Sequence, residues 1–189
     1  MGLQPITSRA LILYLQKRGV PLEIAAPYLK EIHYERREKL FQALAFESVS
    51  GSYELRNAYF QGVHGSKDIS IIHPEGASGD QISVFEGFMD FLSAIVLSGR
   101  PPLHPVIVMN SVAMKDRTIA AIRELGARQV DLYLDRDEAG TKLTRELQES
   151  LADCIVTDRS GLYAGHKDMN EWLMTKNKAM AESPAKERC

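Results

Sequence analysis

From residue 81 onward the chain alternates two hydrophobic rhythms. Short runs that are apolar at nearly every position, "QISVF" (81–85), "PVIVMNS" (105–111), "QVDLYLD" (129–135) and "CIVTD" (154–158), alternate with stretches whose apolar residues recur every three or four positions. Near-continuous Val, Ile and Leu predicts strands buried on both faces, and the 3.6-residue rhythm predicts helices laid against them. Helices are predicted over "FMDFLSAIVLSG", with Phe88, Leu92, Ile95 and Val96 on one stripe, and over "MKDRTIAAIRELG", stopped by Gly126. "EAGTKLTRELQESLAD" follows, with Leu143, Leu147 and Leu151 every fourth residue, then a short helix around "DMNEWLM". Strands separated by amphipathic helices predict a parallel sheet covered on both faces, an α/β fold.

The first half has another texture, and residues 7–46 read as helical. "SRALILYLQKRG" places Ala10, Leu11, Tyr14 and Leu15 on one helical face, with Gly19 as a stop. "PLEIAAPYLKEI" reads as a second short helix opened by Pro21, while "KLFQALAFES" fits a helix and a short strand equally. In "SGSYELRNAYFQGVHGSKDISII" Gly, Ser and Asn punctuate short alternating runs, which predicts hairpins. The turn formers of "HPEGASGD" (73–80) are the expected boundary. The chain then divides into an N-terminal helical or mixed α+β subdomain (1–79), an α/β domain (80–175) and a polar tail (176–189) expected to fray.

Composition narrows the class. The 189 residues are 44% hydrophobic and 25% charged, ordinary for a soluble globular protein. No apolar run approaches bilayer-spanning length and the N-terminus lacks a secretory pattern, so the expected setting is a reducing cytoplasm. Two thiols, Cys154 and Cys189, exclude a disulfide scaffold and a zinc module. A net charge of −2 gives no global signal for nucleic acid, so a polynucleotide partner must be argued from a local site.

That site is sought in "DLYLDRDEAG" (131–140). Side chains two apart on an extended backbone point the same way, so Asp135 and Asp137 stand together, which is electrostatically unfavourable unless something positive sits between them. Taken alone, the stretch fits a solvated turn opening a helix as well as it fits a metal site. Open α/β sheets gather ligands at the carboxyl ends of their strands. Asp135 and Asp137 lie at such an end, and so does Glu86, which closes "QISVFEG" just before Gly87 and a helix. Oxygen ligands without Cys or paired His suit a hard cation, with Mg²⁺ the default. Gly87 would permit a sharp turn or close approach of a ligand. Asp90, one helical turn on, either faces the same rim or is a first-turn acid favoured by the helix dipole. Asn110 and Ser111 close the second strand at this rim, either as phosphate contacts or as a simple polar strand end. The five histidines share no ligand spacing, and Trp172 is expected to anchor the last helix in the core.

"VFEGFMDFLSA" and "LYLDRDEAGTKLTREL" resemble the two signature motifs of the Toprim domain, shared by topoisomerases, primases, OLD-type nucleases and recombination proteins of the RecR type. The version here is most similar to bacterial DnaG-type primases, whose usual forms are Glu-Gly-Tyr-Met-Asp and Asp-x-Asp-x-Ala-Gly, with Phe88 replacing the Tyr. "HKDMNEWL" resembles the primase segment in which Asp-Pro-Asp precedes a short helix: Asp168 matches the first acid, and Asn170 stands where the second is expected. Asp168 is open between metal ligand and helix N-cap. "YELRNAYFQGVHGSKDISI" resembles the small mixed subdomain that precedes the Toprim domain in primases. "YLKEIHY" and the rest of the first half are similar to primase-like proteins of mobile elements and plasmids.

The resemblance implies a Toprim fold, a Rossmann-like parallel sheet with helices on both faces, preceded by a smaller α+β subdomain. It also implies a DNA primase-type nucleotidyltransferase that uses Mg²⁺, with Mn²⁺ as a substitute, to make short RNA on single-stranded DNA from ribonucleoside triphosphates. Asp135 and Asp137 would hold the metal, joined by Glu86 as ligand or general acid/base and by Asp168. Arg56, Lys67 and Gly87 would meet template and nucleotide, the alternative for Arg56 and Lys67 being surface charge on a hairpin. A zinc-binding domain and a helicase are implied partners that this sequence does not itself supply, so a fragment or a reduced stand-alone protein is expected. A Toprim nuclease and a non-catalytic nucleic-acid-binding module are the competing readings. A phosphoacceptor domain of the response-regulator type is excluded, because the Glu86-Gly87 element has no place there.

Overall fold

In a computed structural model, residues 2–36, 39–77 and 79–182 are described, and their strands form two five-stranded sheets. The first sheet is an antiparallel meander of β1 (Gly2–Gln4), β2 (Leu29–Arg36), β3 (Lys39–Glu47), β4 (Tyr53–Arg56) and β5 (Gln61–His64). Helices α1 (Arg9–Lys17) and α2 (Leu22–Ala25) join β1 to β2. The helical expectation for residues 7–46 therefore fails after Ala25. "YLKEIHY" and "KLFQALAFE" pair as strands, with Leu29 opposite Phe46 and Ile32 opposite Ala43. The cause lies in burial on both faces. Ile32, Ala43, Ala45 and Leu55 fill one small core, while Leu29, Leu44 and Phe46 enter a larger one. With both parities apolar, the period-two signal disappears and pairing decides the structure. Buried Glu31 of β2 accepts the N–H groups of Thr7 (2.9 Å) and Ser8 (2.8 Å) and bonds His33, which fixes the entry to α1.

The second sheet comprises β6 (Ser70–Ile72), β7 (Gln81–Phe85), β8 (Val106–Val108), β9 (Gln129–Tyr133) and β10 (Ile155–Asp158), in the order β10-β9-β7-β8-β6. All pairs are parallel except β6 on β8. Residues 73–80 join two strands of this one sheet, so a division at residue 80 falls inside it. Turn formers mark a chain reversal here rather than a border, since β6 runs antiparallel along the edge.

Four helices cover the second sheet: α3 (Phe88–Ser98), α4 (Lys115–Glu124), α5 (Glu138–Ser150) and α6 (Met169–Glu182). Alternate residues of each central strand go to opposite cores. Ile82, Val84, Ile107, Val130 and Leu132 pack with Ala121, Ile122, Leu143 and Leu147 of α4 and α5. Phe85, Val106 and Val108 pack with residues of α1, α3 and α6, and with Leu44 and Phe46 of the first sheet. The two sheets thus share a core, joined by Phe46 against Phe88 (ring centroids 5.2 Å apart) and Tyr28 edge-on to Phe91 (4.9 Å). Residues 176–182, expected to fray, continue α6, because Lys, Ala, Met and Glu are good helix formers even when exposed. Residues 183–189 of the expected tail lie outside the described residues. Among the described residues no helix is long and apolar enough to cross a membrane.

Candidate active site

β7 and β9 are parallel neighbours in register, Phe85 beside Tyr133, so the residues that follow them leave the sheet at one rim. There the Asp135 backbone N–H donates to Oε2 of Glu86 at 3.2 Å, joining positions 49 apart in sequence. Asp137 is the N-cap of α5, its Oδ1 accepting the Gly140 N–H at 2.9 Å. Its other oxygen lies 3.4 Å from Nζ of Lys167, which is also 3.3 Å from Oδ2 of Asp135. The helix-opening turn is realised, and the ammonium of Lys167 stands between the two acids. Gly140 makes this packing possible, since a Cβ there would lie 2.0 Å from the Asp135 carbonyl oxygen. Asp131, the first acid of the stretch, takes no part, being bound by Arg159 (2.9 Å) and Gln81 (3.0 Å).

The rim opens into a polar cleft of about 260 Å³. Glu86, Asp90, Asp135 and Asp168 give it an acidic lining, and Arg18, Arg56 and Lys167 a basic one. Gln61 of β5 also lines it, so the first sheet closes a site whose acids come from the second. Gly87 borders the cleft in an extended conformation, φ −132°, where a Cβ would make only an ordinary 3.4 Å contact with Asp90. No sharp turn demands glycine there. The left-handed backbone at this rim belongs to Asn110, φ 62°. Its Nδ2 donates to the Asp68 carbonyl (2.9 Å) and Ser70 Oγ (3.0 Å). Ser111 caps the following turn through Ala113 N.

Crowded acids and low hydration shape the electrostatics. Burial, then the Asp135 charge, raises the Glu86 carboxyl to about 7, against the hydrogen bond from Asp135 N. Burial and the Asp168 and Asp135 charges push Asp90 upward. Asp135 is raised by burial and Asp168, with Lys167 opposing. Asp137 is lowered, first by the Gly140 hydrogen bond. Among the described residues no group of three or more His, Cys, Asp or Glu side chains is disposed to hold a metal ion. The donor chemistry nonetheless fits a hard divalent cation. Every donor is a carboxylate oxygen, neighbouring acids repel one another, and a positive group already stands between Asp135 and Asp137.

The other predicted residues divide. Asp168 caps α6, its Oδ1 accepting the Glu171 N–H at 2.7 Å, while Glu171 accepts the Lys167 N–H in return. Asp168 nevertheless lines the cleft and acts on Asp90 and Asp135 by charge. Asn170 is fully buried. Its Nδ2 donates to the Arg18 carbonyl and Ser93 Oγ, both at 2.8 Å, and its backbone N–H donates to Asp90 at 3.1 Å. The side chain that replaces the expected second acid is a fastener for the surrounding helices. Arg56 lines the cleft and its charge reaches Asp90, whereas Lys67 is not among the lining residues and acts on Glu54. Trp172 is half-buried and packs from α6 against the larger core, as expected of an anchor for the last helix. It borders an apolar groove with Phe85, Tyr133 and Leu162, and Lys176 lies 4.6 Å over its ring.

Lys167, Arg18 and Gln61 escaped the sequence reading. Lys167 adjoins Asp168 in a quoted motif, but nothing in the sequence pairs it with acids some thirty positions upstream. Arg18 reads as an ordinary cation at a helix C-terminus.

Residues 83–173 match the Toprim-like family, and residues 1–65 match DUF8464, a domain of unknown function. No curated protein matches the chain. Among solved structures, the chain is similar to the primase fragment of the bacteriophage T7 primase-helicase protein. The TM-score is 0.65 at 21% identity, covering 95% of this chain and 77% of that one. It is similar to a chain in the structure of the bacteriophage T7 lagging-strand DNA polymerase interacting with primase domains bound to an RNA/DNA hybrid and dTTP (TM-score 0.59, 20% identity, 93% of each chain). The zinc-binding and RNA polymerase domains of the Aquifex aeolicus primase give a TM-score of 0.63 at 12% identity, over 93% of this chain and 55% of that one. The shared feature is the primase-type fold.

Proposed function

Given that residues 83–173 are a Toprim-like domain within a primase-type fold, we propose that the protein is the core of a magnesium-dependent DNA primase-type nucleotidyltransferase. It would join ribonucleoside triphosphates into short RNA on a single-stranded DNA template. The observation that carries this reading is the meeting of Glu86 with Asp135 across two strand ends, in a cleft whose other side brings Arg56 from the first sheet. Phosphoryl transfer asks a protein mainly to position its reactants and neutralise developing charge, and the cleft offers groups for both.

Glu86, Asp135 and Asp137 would hold Mg²⁺ or Mn²⁺, with Asp168 as a further ligand. The ion, when bound, supplies charge neutralisation for the triphosphate and its leaving pyrophosphate. Arg56 and Arg18 orient phosphates from the opposite side. Burial and the Asp135 charge raise the Glu86 carboxyl to about 7 without metal, and a bound cation would draw it back down to the carboxylate that ligates it. One structural neighbour is part of a primase-helicase protein and another includes a zinc-binding domain. A helicase and a zinc-binding module, in a cytoplasmic replication or mobilisation assembly of a mobile element, are accordingly the proposed partners.

The test is incubation with single-stranded DNA, Mg²⁺ and labelled ribonucleotides, comparing wild type with Asp135→Ala. New oligomers that vanish in the variant support synthesis. Shortened DNA overturns the reading in favour of cleavage, and salt-sensitive binding without either product overturns it in favour of a binding module.

A further inference from the structure

Lys167 occupies the position a metal bound by Asp135 and Asp137 would contest. Its ammonium lies 3.3 Å from one carboxylate and 3.4 Å from the other. Its backbone is pinned: the N–H donates to Glu171 Oε2 at 2.5 Å, and the carbonyl accepts from Arg136 N at 2.6 Å. The side chain is different, being 57% exposed and able to swing from a fixed root. A magnesium ion needs oxygens at about 2.0–2.1 Å in near-octahedral array. An ammonium between the two acids blocks that approach.

We infer that Lys167 is an exchangeable cation: divalent metal binds by displacing its ammonium from Asp135 and Asp137, and the freed ammonium takes up the phosphates of the incoming triphosphate. The inference rests on the metal-site reading above and adds a coupling to it. The released lysine stays in a cleft whose other anions are acids, so a polyphosphate is the partner that lets it leave at least cost. Metal and triphosphate then strengthen one another's binding, and by linkage the effect is mutual. Lys167 is a substrate-binding residue in this scheme, guarding the acid pair until both ligands arrive.

The experiment measures Mn²⁺ binding by electron paramagnetic resonance without nucleotide, and ATP binding by calorimetry in saturating Mg²⁺. The proteins are wild type, Lys167→Met, Lys167→Arg and Asp135→Asn, each checked for fold by circular dichroism. Lys167→Met should bind Mn²⁺ about tenfold more tightly and ATP about tenfold more weakly, within the usual range of coupling between sites. Lys167→Arg, which keeps a cation there, should restore the wild-type Mn²⁺ affinity. Unchanged or weaker Mn²⁺ binding in Lys167→Met, with Asp135→Asn abolishing it, overturns the exchange and leaves the metal site standing. Mn²⁺ binding that survives Asp135→Asn overturns the metal site and the exchange together.

Discussion

The parallel and the antiparallel sheet furnish the two sides of the cleft by different means. The parallel sheet contributes acids from strand ends, held by nearby backbone: Glu86 by Asp135 N, and Asp137 by Gly140 N. The antiparallel sheet contributes Arg56 and Gln61, and their position depends on how one sheet sits on the other, through contacts such as Phe46 against Phe88. Acid placement is thus local and stiff, whereas basic placement is inherited from tertiary packing.

The strongest way to break that comparison is chemical. Asp135→Ala should lower nucleotidyl transfer by at least about a hundredfold, the scale of losing a charge-stabilising group, with the fold preserved by circular dichroism. Next comes Gly140→Ala, which would place a Cβ 2.0 Å from the Asp135 carbonyl. It should destabilise the protein by about 1–3 kcal/mol in urea unfolding and reduce transfer by moving Asp135. A variant as stable and active as wild type would show that the acids do not depend on this close approach.

Arg56→Ala tests the packed side. It should weaken single-stranded DNA binding several-fold, make the salt dependence shallower by about 0.7 on a log–log plot, and leave urea stability unchanged. The smallest effect concerns pH in the metal-free protein. Glu86 is raised from an ordinary 4.5 to about 7, so the native state binds the extra proton between those values. Its stabilising contribution is complete below about 4.5 and is lost as pH rises toward about 7. The thermal midpoint should therefore slope downward across that window, and Glu86→Gln should flatten the slope. Glu86 is half-buried rather than enclosed, which keeps the change small.

Legibility in the sequence follows the same divide. The second half could be read because its central strands β7, β8 and β9 carry apolar residues to both faces while α4 and α5 are buried on one, which separates the two periods cleanly. Around β2 and β3 the even and odd positions feed different cores, Leu29 and Phe46 one way, Ile32 and Ala45 the other, and that pattern mimics a helix. Glu86 and Asp135 were visible because strand ends in such sheets share a rim. Lys167 and Arg18 were not, because the segments just before α6 and just after α1 bring them to the cleft from distant parts of the chain. Asp168 could be placed by its motif, but its capping bond to Glu171 is a matter of local geometry.

Asn170 ties the carbonyl of residue 18 to the hydroxyl of residue 93, and the order of translation gives that tie a consequence. A ribosome delivers α1 and α3 long before the amide that links them, so a nascent chain carries most of the acids without their finished geometry. The cleft is therefore finished only once Asn170 has docked between these two distant segments, which makes its geometry a property of the assembled fold.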